Sequence, residues 1–111
     1  MKQVLKPALA ALALSLAFPV YAKGNAAAGK EKAAQVCAAC HGPDGNKPSD
    51  PTQPVLAGQY YDYLVRALTD YKIGRRNNAI MKGFAAQLSK KDIEDLAAWF
   101  SSQKSNLHDQ R

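Results

Sequence analysis

Cys37-Ala38-Ala39-Cys40-His41 is the stretch from which the rest of the chain can be read. Two cysteines three residues apart stand on one side of a helical turn, and a histidine follows directly. This spacing suits covalent attachment of a c-type haem. The two thiols add to two vinyl groups on one edge of a flat macrocycle. The next residue then brings an imidazole to the iron from the proximal face. No other cysteine occurs in the chain. A thiol–disulfide oxidoreductase is the competing reading of Cys37 and Cys40. That motif sits at a strand-to-helix junction of a βαβ unit, and the sequence carries no alternating strand pattern.

The residues before the pentad say where such a haem would be attached. Residues 1–22 have Lys2 and Lys6, an apolar run from Ala8 to Phe18, and the ending Val20-Tyr21-Ala22. That is the order of a secretory signal peptide, with cleavage after Ala22. The apolar run is shorter than the ~20 residues of a spanning helix, so the mature protein is read as not membrane-spanning. Removing 22 of 111 residues leaves 89, at 23–111, which is one small domain with a limited core. A buried, covalently held cofactor would supply part of the missing apolar interior. Export to the periplasm agrees with the cysteine usage, since an oxidising compartment would otherwise close the pair as a disulfide.

The chain carries 15 Lys and Arg against 9 Asp and Glu. The excess is uneven. Seven basic residues and only Asp70 as an acid fall between Arg66 and Lys91, whereas four acids and two bases fall in 92–111. One part of the surface therefore carries a positive field. It suits redox partner proteins with acidic docking surfaces; nucleic acid is not a partner expected in this compartment.

Downstream of the pentad the periodicity is helical throughout. An alanine-rich helix is expected over 26–39 with Asn25 as its cap. Residues 42–54, with Gly42, Pro43, Gly45, Pro48, Pro51 and Pro54, read as a long loop folded over the haem edge. A helix over 59–72 presents Tyr60, Leu64, Ala67, Leu68 and Tyr71 as one stripe and ends near Gly74. Residues 75–87 are mixed. Ser89 and Asp92 form an acidic variant of the capping box opening a helix over 90–103 that buries Ile93, Leu96, Ala97, Trp99 and Phe100. The fold class is all-α, with three to four short helices.

A haem iron bound by His41 has a second axial position. A methionine there raises the potential and suits electron transfer. Met81 is the single methionine outside the leader, forty residues after His41, which is enough chain to cross to the opposite face. A lone methionine is otherwise ordinary core filler. His108, Lys82 and an open position remain as alternatives at this stage. His41 also needs its other ring nitrogen engaged, and a carbonyl of the following loop, Pro54 first and Pro51 second, would fix its tautomer.

Taken together, these residues resemble the small soluble class I c-type cytochromes of bacteria. Four pieces carry the resemblance: Gly29, eight residues before Cys37; the pentad with Gly42; Pro54-Val55-Leu56-Ala57-Gly58-Gln59; and Met81 followed by Leu88-Ser89, Asp92-Ile93 and Leu96-Ala97-Ala98-Trp99-Phe100. The resemblance implies N- and C-terminal helices crossing, with Gly29 and Ala33 against Leu96 and Trp99. Ala33 departs from the larger residue that many relatives carry. The expected function is a monomeric, single-haem periplasmic electron carrier. Its iron would cycle between Fe(III) and Fe(II) with His41 and Met81 as ligands, without being an enzyme and without a small-molecule substrate. The alternatives are a haem subunit of a periplasmic dehydrogenase or oxidase complex and a ligand-binding or peroxidase-type haem protein.

Overall fold

A computed structural model describes residues 24–105, together with Gln3 and Leu107. The leader apart from Gln3, and His108, lie outside the described residues. Among the described residues five helical segments follow one another: α1 (Ala26–Val36), α2 (Ala38–His41), α3 (Tyr61–Ile73), α4 (Ala79–Ala85) and α5 (Lys90–Ser101). The described residues contain no strand. This is the all-α class expected, with two of the five segments shorter than eight residues.

The helix ends follow local chemistry. Asn25 accepts from the Ala28 amide and opens α1. Ser89 accepts from the Asp92 amide while the Asp92 carboxylate accepts from the Ser89 amide, so the capping box has both halves. α3 ends at Gly74, whose φ of +83° is the left-handed conformation that glycine adopts without a Cβ penalty.

Two boundaries differ from the sequence reading. The first helix stops at Val36, where Cys37 (φ −116°) interrupts it, and a separate four-residue helical turn, Ala38–His41, carries Cys40 and His41. The 75–87 stretch contains α4, opened by Asn78, whose side chain accepts from both the Ile80 and Met81 amides. Tyr60 is also corrected. It precedes α3 as the cap residue and is 57% exposed, whereas Leu64 is the buried residue of that helix.

The crossing of α1 and α5 is the most extensive helix contact, and α3 packs on α5 and α4. It depends on Gly29. A Cβ built there would stand 1.9 Å from the Asp95 carbonyl oxygen and 2.9 Å from the Trp99 Cβ. Ala33, one turn on, is fully buried in the same apolar cluster as Leu96, and Trp99 packs against that cluster. A second tie spans the crossing: the buried Asp95 carboxylate accepts from the Asn25 amide at 2.7 Å and pairs with Lys91. Burial pushes the Asp95 carboxyl up, but the Lys91 and Asn25 hydrogen bonds outweigh it and hold it below the usual carboxylate range.

Residues 42–60 form the long connection between α2 and α3. They are anchored at several points. The Ser49 amide donates to the Cys40 carbonyl (2.9 Å), the Leu56 amide to the Gly45 carbonyl (2.9 Å), and the Gly58 amide to the Phe100 carbonyl (2.9 Å). The Trp99 indole N–H donates to the Pro43 carbonyl at 3.1 Å. A structureless loop of this length keeps its path only through such bonds.

Candidate functional site

The helices and the long loop enclose a cavity of about 530 Å³. That lies in the range of pockets that hold a cofactor or drug-sized ligand. One wall is built by the α1–α2 break, which turns Cys37, Cys40 and His41 toward the cavity. α4 contributes Met81 to the lining of the same cavity. All four residues singled out from the sequence therefore line the same space, although 44 positions separate the first from the last. The floor is apolar, with Leu64, Leu68, Leu88, Leu96 and Phe100. The loop closes one side with Thr52, Gln53, Pro54, Val55 and Leu56.

His41 is 6% exposed. Its Nδ1 lies 3.0 Å from the Pro54 carbonyl oxygen, the first of the two acceptors expected. With the proton on Nδ1 donated to that carbonyl, the Nε2 lone pair is the one presented to a metal. The ring is thus aimed by a backbone group before anything binds. Met81 is half-buried, and its amide is held by Asn78, which fixes the start of α4.

The two cysteines are half-buried and unpaired. Burial, and then the neighbouring Cys40, push the Cys37 thiol up to about 11. A redox-active cysteine pair needs the opposite, a lowered thiol pKa. The pair also lies between two helical segments rather than after a strand. Both facts weigh against the oxidoreductase reading.

The donor set fits a c-type haem on chemical grounds. Two thiols three residues apart, an oriented imidazole, a soft thioether and an apolar floor meet on one cavity. Among the described residues, no group of three or more His, Cys, Asp and Glu gathers as a site for a bare metal ion.

Sequence reasoning missed Arg76 at this site. It lines the cavity beside Tyr63, Tyr71 and Asn78. Its Nη1 donates to the Tyr63 hydroxyl at 3.3 Å, and its guanidinium lies 4.8 Å from the centre of the Tyr71 ring. In the sequence it was one of seven basic residues in a run, and nothing local set it apart. Lys72, from the same run, donates to the Leu88 carbonyl. Arg75 and Lys82 are exposed and do not line the cavity.

The profile of the cytochrome c family matches residues 26–104. Cytochrome c4 of Pseudomonas aeruginosa is 48% identical over 96 residues, covering 86% of this chain and 47% of that protein. Cytochrome c-554(548) of Halomonas halodenitrificans is 44% identical over 84 residues, covering 73% of this chain and 99% of that protein. Among solved structures, reduced recombinant cytochrome c4 from Pseudomonas stutzeri superposes with a TM-score of 0.67 at 47% identity, over 73% of this chain and 46% of that one. The chain spans about half the length of the cytochrome c4 relatives it matches. Among the described residues, no helix is long and apolar enough to cross a membrane.

Proposed function

Because the chain belongs to the cytochrome c family, as a small class I c-type cytochrome, we propose that it is a monomeric, single-haem electron carrier of the periplasm. Residues 1–22 are its cleaved leader and 23–111 its cytochrome domain. One observation carries this reading: Cys37, Cys40, His41 and Met81 line one cavity, with His41 already oriented by Pro54. Bound there, haem c supplies a one-electron Fe(III)/Fe(II) couple.

The chain's residues do the rest. Cys37 and Cys40 would hold the macrocycle through thioether bonds. His41 would provide a nitrogen ligand from a ring that cannot turn without losing its Pro54 bond. Met81 would provide a neutral, soft sulfur as the second ligand. With both positions filled, no place would be left for a substrate and little would rearrange when the charge changes. Leu64, Leu88, Leu96 and Phe100 exclude water and lower the local dielectric, which favours the less charged ferrous state.

The test is the absorption spectrum of both redox states of the purified protein, combined with carbon monoxide. The reduced native protein is expected not to take up carbon monoxide. Met81→Ala opens the position and is expected to bind it one to one. Rapid uptake by the native protein would show an iron open to ligands and would exclude the carrier mechanism.

Docking follows from the surface of the same region. Exposed Arg75 and Lys82 accompany Ile80 and Phe84, which are 68% and 43% exposed at the cavity rim. Cationic groups around an apolar contact suit a redox protein with an acidic docking surface. Electron exchange with an acidic partner is expected to slow several-fold as ionic strength rises from about 0.01 to 0.15 M, where the screening length falls from about 30 to 8 Å. A rate indifferent to salt would remove the charge-steering claim.

A further inference from the structure

We propose that Arg76 is the anion subsite of the cavity, which pairs with a carboxylate on the edge of the porphyrin and holds up its reduction potential. Among the described residues lining the cavity, Arg76 alone carries a fixed charge, and none is an acid. A porphyrin of this class has two carboxylate arms. A carboxylate leaving water needs a donor of opposite charge, and guanidinium supplies a planar fork that matches it.

The geometry holds the guanidinium ready for that role. Gly74 turns the chain back at the end of α3, and the Arg76 amide donates to the Asp70 carbonyl at 3.1 Å. The side chain then lies over the Tyr71 ring, where the ring face attracts the cation, and one of its nitrogens is tied to the Tyr63 hydroxyl. Two contacts restrain a side chain that would otherwise be free to swing. The nearby acid, Asp70, pairs with Arg66 at 3.8 Å. No carboxylate forms an ion pair with Arg76 among the described residues. Thr52, Gln53 and Asn78 give the lining further polar groups.

The electrostatic consequence has a definite sign. Oxidation adds one positive charge to the iron. A cation fixed nearby opposes it, and so does neutralisation of the carboxylate. Removing Arg76 therefore stabilises the ferric form and lowers the potential.

This inference rests on the haem reading above, so the experiment records both. Covalent haem is measured by mass and axial ligation by the absorption spectrum on each sample before its potential is titrated. Arg76→Gln is expected to change the Fe(III)/Fe(II) equilibrium by roughly tenfold, a potential lower by ~59 mV. Arg76→Lys keeps the charge and is expected to retain most of the native value. Arg75→Gln removes the same charge one residue away, outside the cavity lining, and is expected to move the equilibrium less than a third as far. Tyr63→Phe releases one tether and is expected to shift it in the same direction by about threefold; it carries the test if Arg76→Gln yields no folded protein. Native haem and spectrum with an unmoved potential in Arg76→Gln, or in Tyr63→Phe where only that variant folds, overturns the assignment alone. Equal shifts in Arg76→Gln and Arg75→Gln do the same, by reducing Arg76 to part of the general surface field. Absence of covalent haem from the native protein overturns the functional reading and this inference with it.

Discussion

Replacing Cys37 and Cys40 together by serine is expected to abolish covalent haem completely. Mass spectrometry of the exported chain should then return the bare polypeptide mass. A serine hydroxyl does not add to a vinyl group under the conditions in which a thiol does, and the chain has no third cysteine to substitute. The loss reaches beyond the cofactor. Among the described residues nine hydrophobic ones are buried, and four of them are alanines: Ala33, Ala57, Ala85 and Ala97. Of the five larger ones, Leu64, Leu88, Leu96 and Phe100 line the cavity, and Ile93 does not. The core and the cavity wall are thus largely the same residues, so the group that fills the cavity completes the core. The double variant is expected to lose its cooperative thermal transition, read by circular dichroism, as well as its haem mass. Either single variant keeps one thioether and should retain part of both. A double variant that still carries covalent haem would place the attachment elsewhere and remove the basis of the site.

The second large effect is expected at Gly29. Gly29→Val puts a branched side chain where even a Cβ stands 1.9 Å from the Asp95 carbonyl oxygen. That neighbour is helix backbone and cannot rotate away. α1 and α5 must separate, exposing Ala33 and breaking the bond from the Asn25 amide to Asp95. A cost of about 3 kcal/mol or more is expected, at the upper end of overpacked cores because the clash is with backbone, and a large share of a small domain's total stability. Thermal unfolding of the haem-loaded protein measures it. Gly83→Ala is the matched control, because nothing lies within 4 Å of a Cβ built there. That change is expected to be neutral or to stabilise α4 by about 0.5–1 kcal/mol. If Gly29→Val melted at the native temperature, the helix crossing would be misplaced.

What could be read from the residues alone was local or followed a period. The pentad, the Ser89–Asp92 box, the Gly74 stop and the apolar face of α5 all have their determinants within a few positions. The Pro54 carbonyl was within reach because it lies in the loop that directly follows His41. What could not be read depends on partners far along the chain. Asp95 lies in the charged run Lys90-Lys91-Asp92-Ile93-Glu94-Asp95, which reads as solvent-facing. Its burial is set by Asn25, seventy residues away. α4 was hidden because Lys82 and Gly83 interrupt its apolar period, although Asn78 signals the cap. Arg76 acquires its role from Tyr63 and Tyr71, which only the turn at Gly74 brings beneath it. The break at Cys37 is likewise a tertiary matter, since nothing in the alanine-rich run forbids one continuous helix.

The bond between His41 and Pro54 has a consequence for how this chain can vary. The acceptor is a main-chain oxygen, so every amino acid at position 54 supplies the same atom. The orientation of the ring is therefore indifferent to the identity of that residue. It is sensitive instead to the number of residues between the two positions and to the anchors at Ser49 and Leu56 that set their path. Drift in this stretch can proceed by substitution, while gain or loss of a single residue moves the oxygen off the nitrogen it serves.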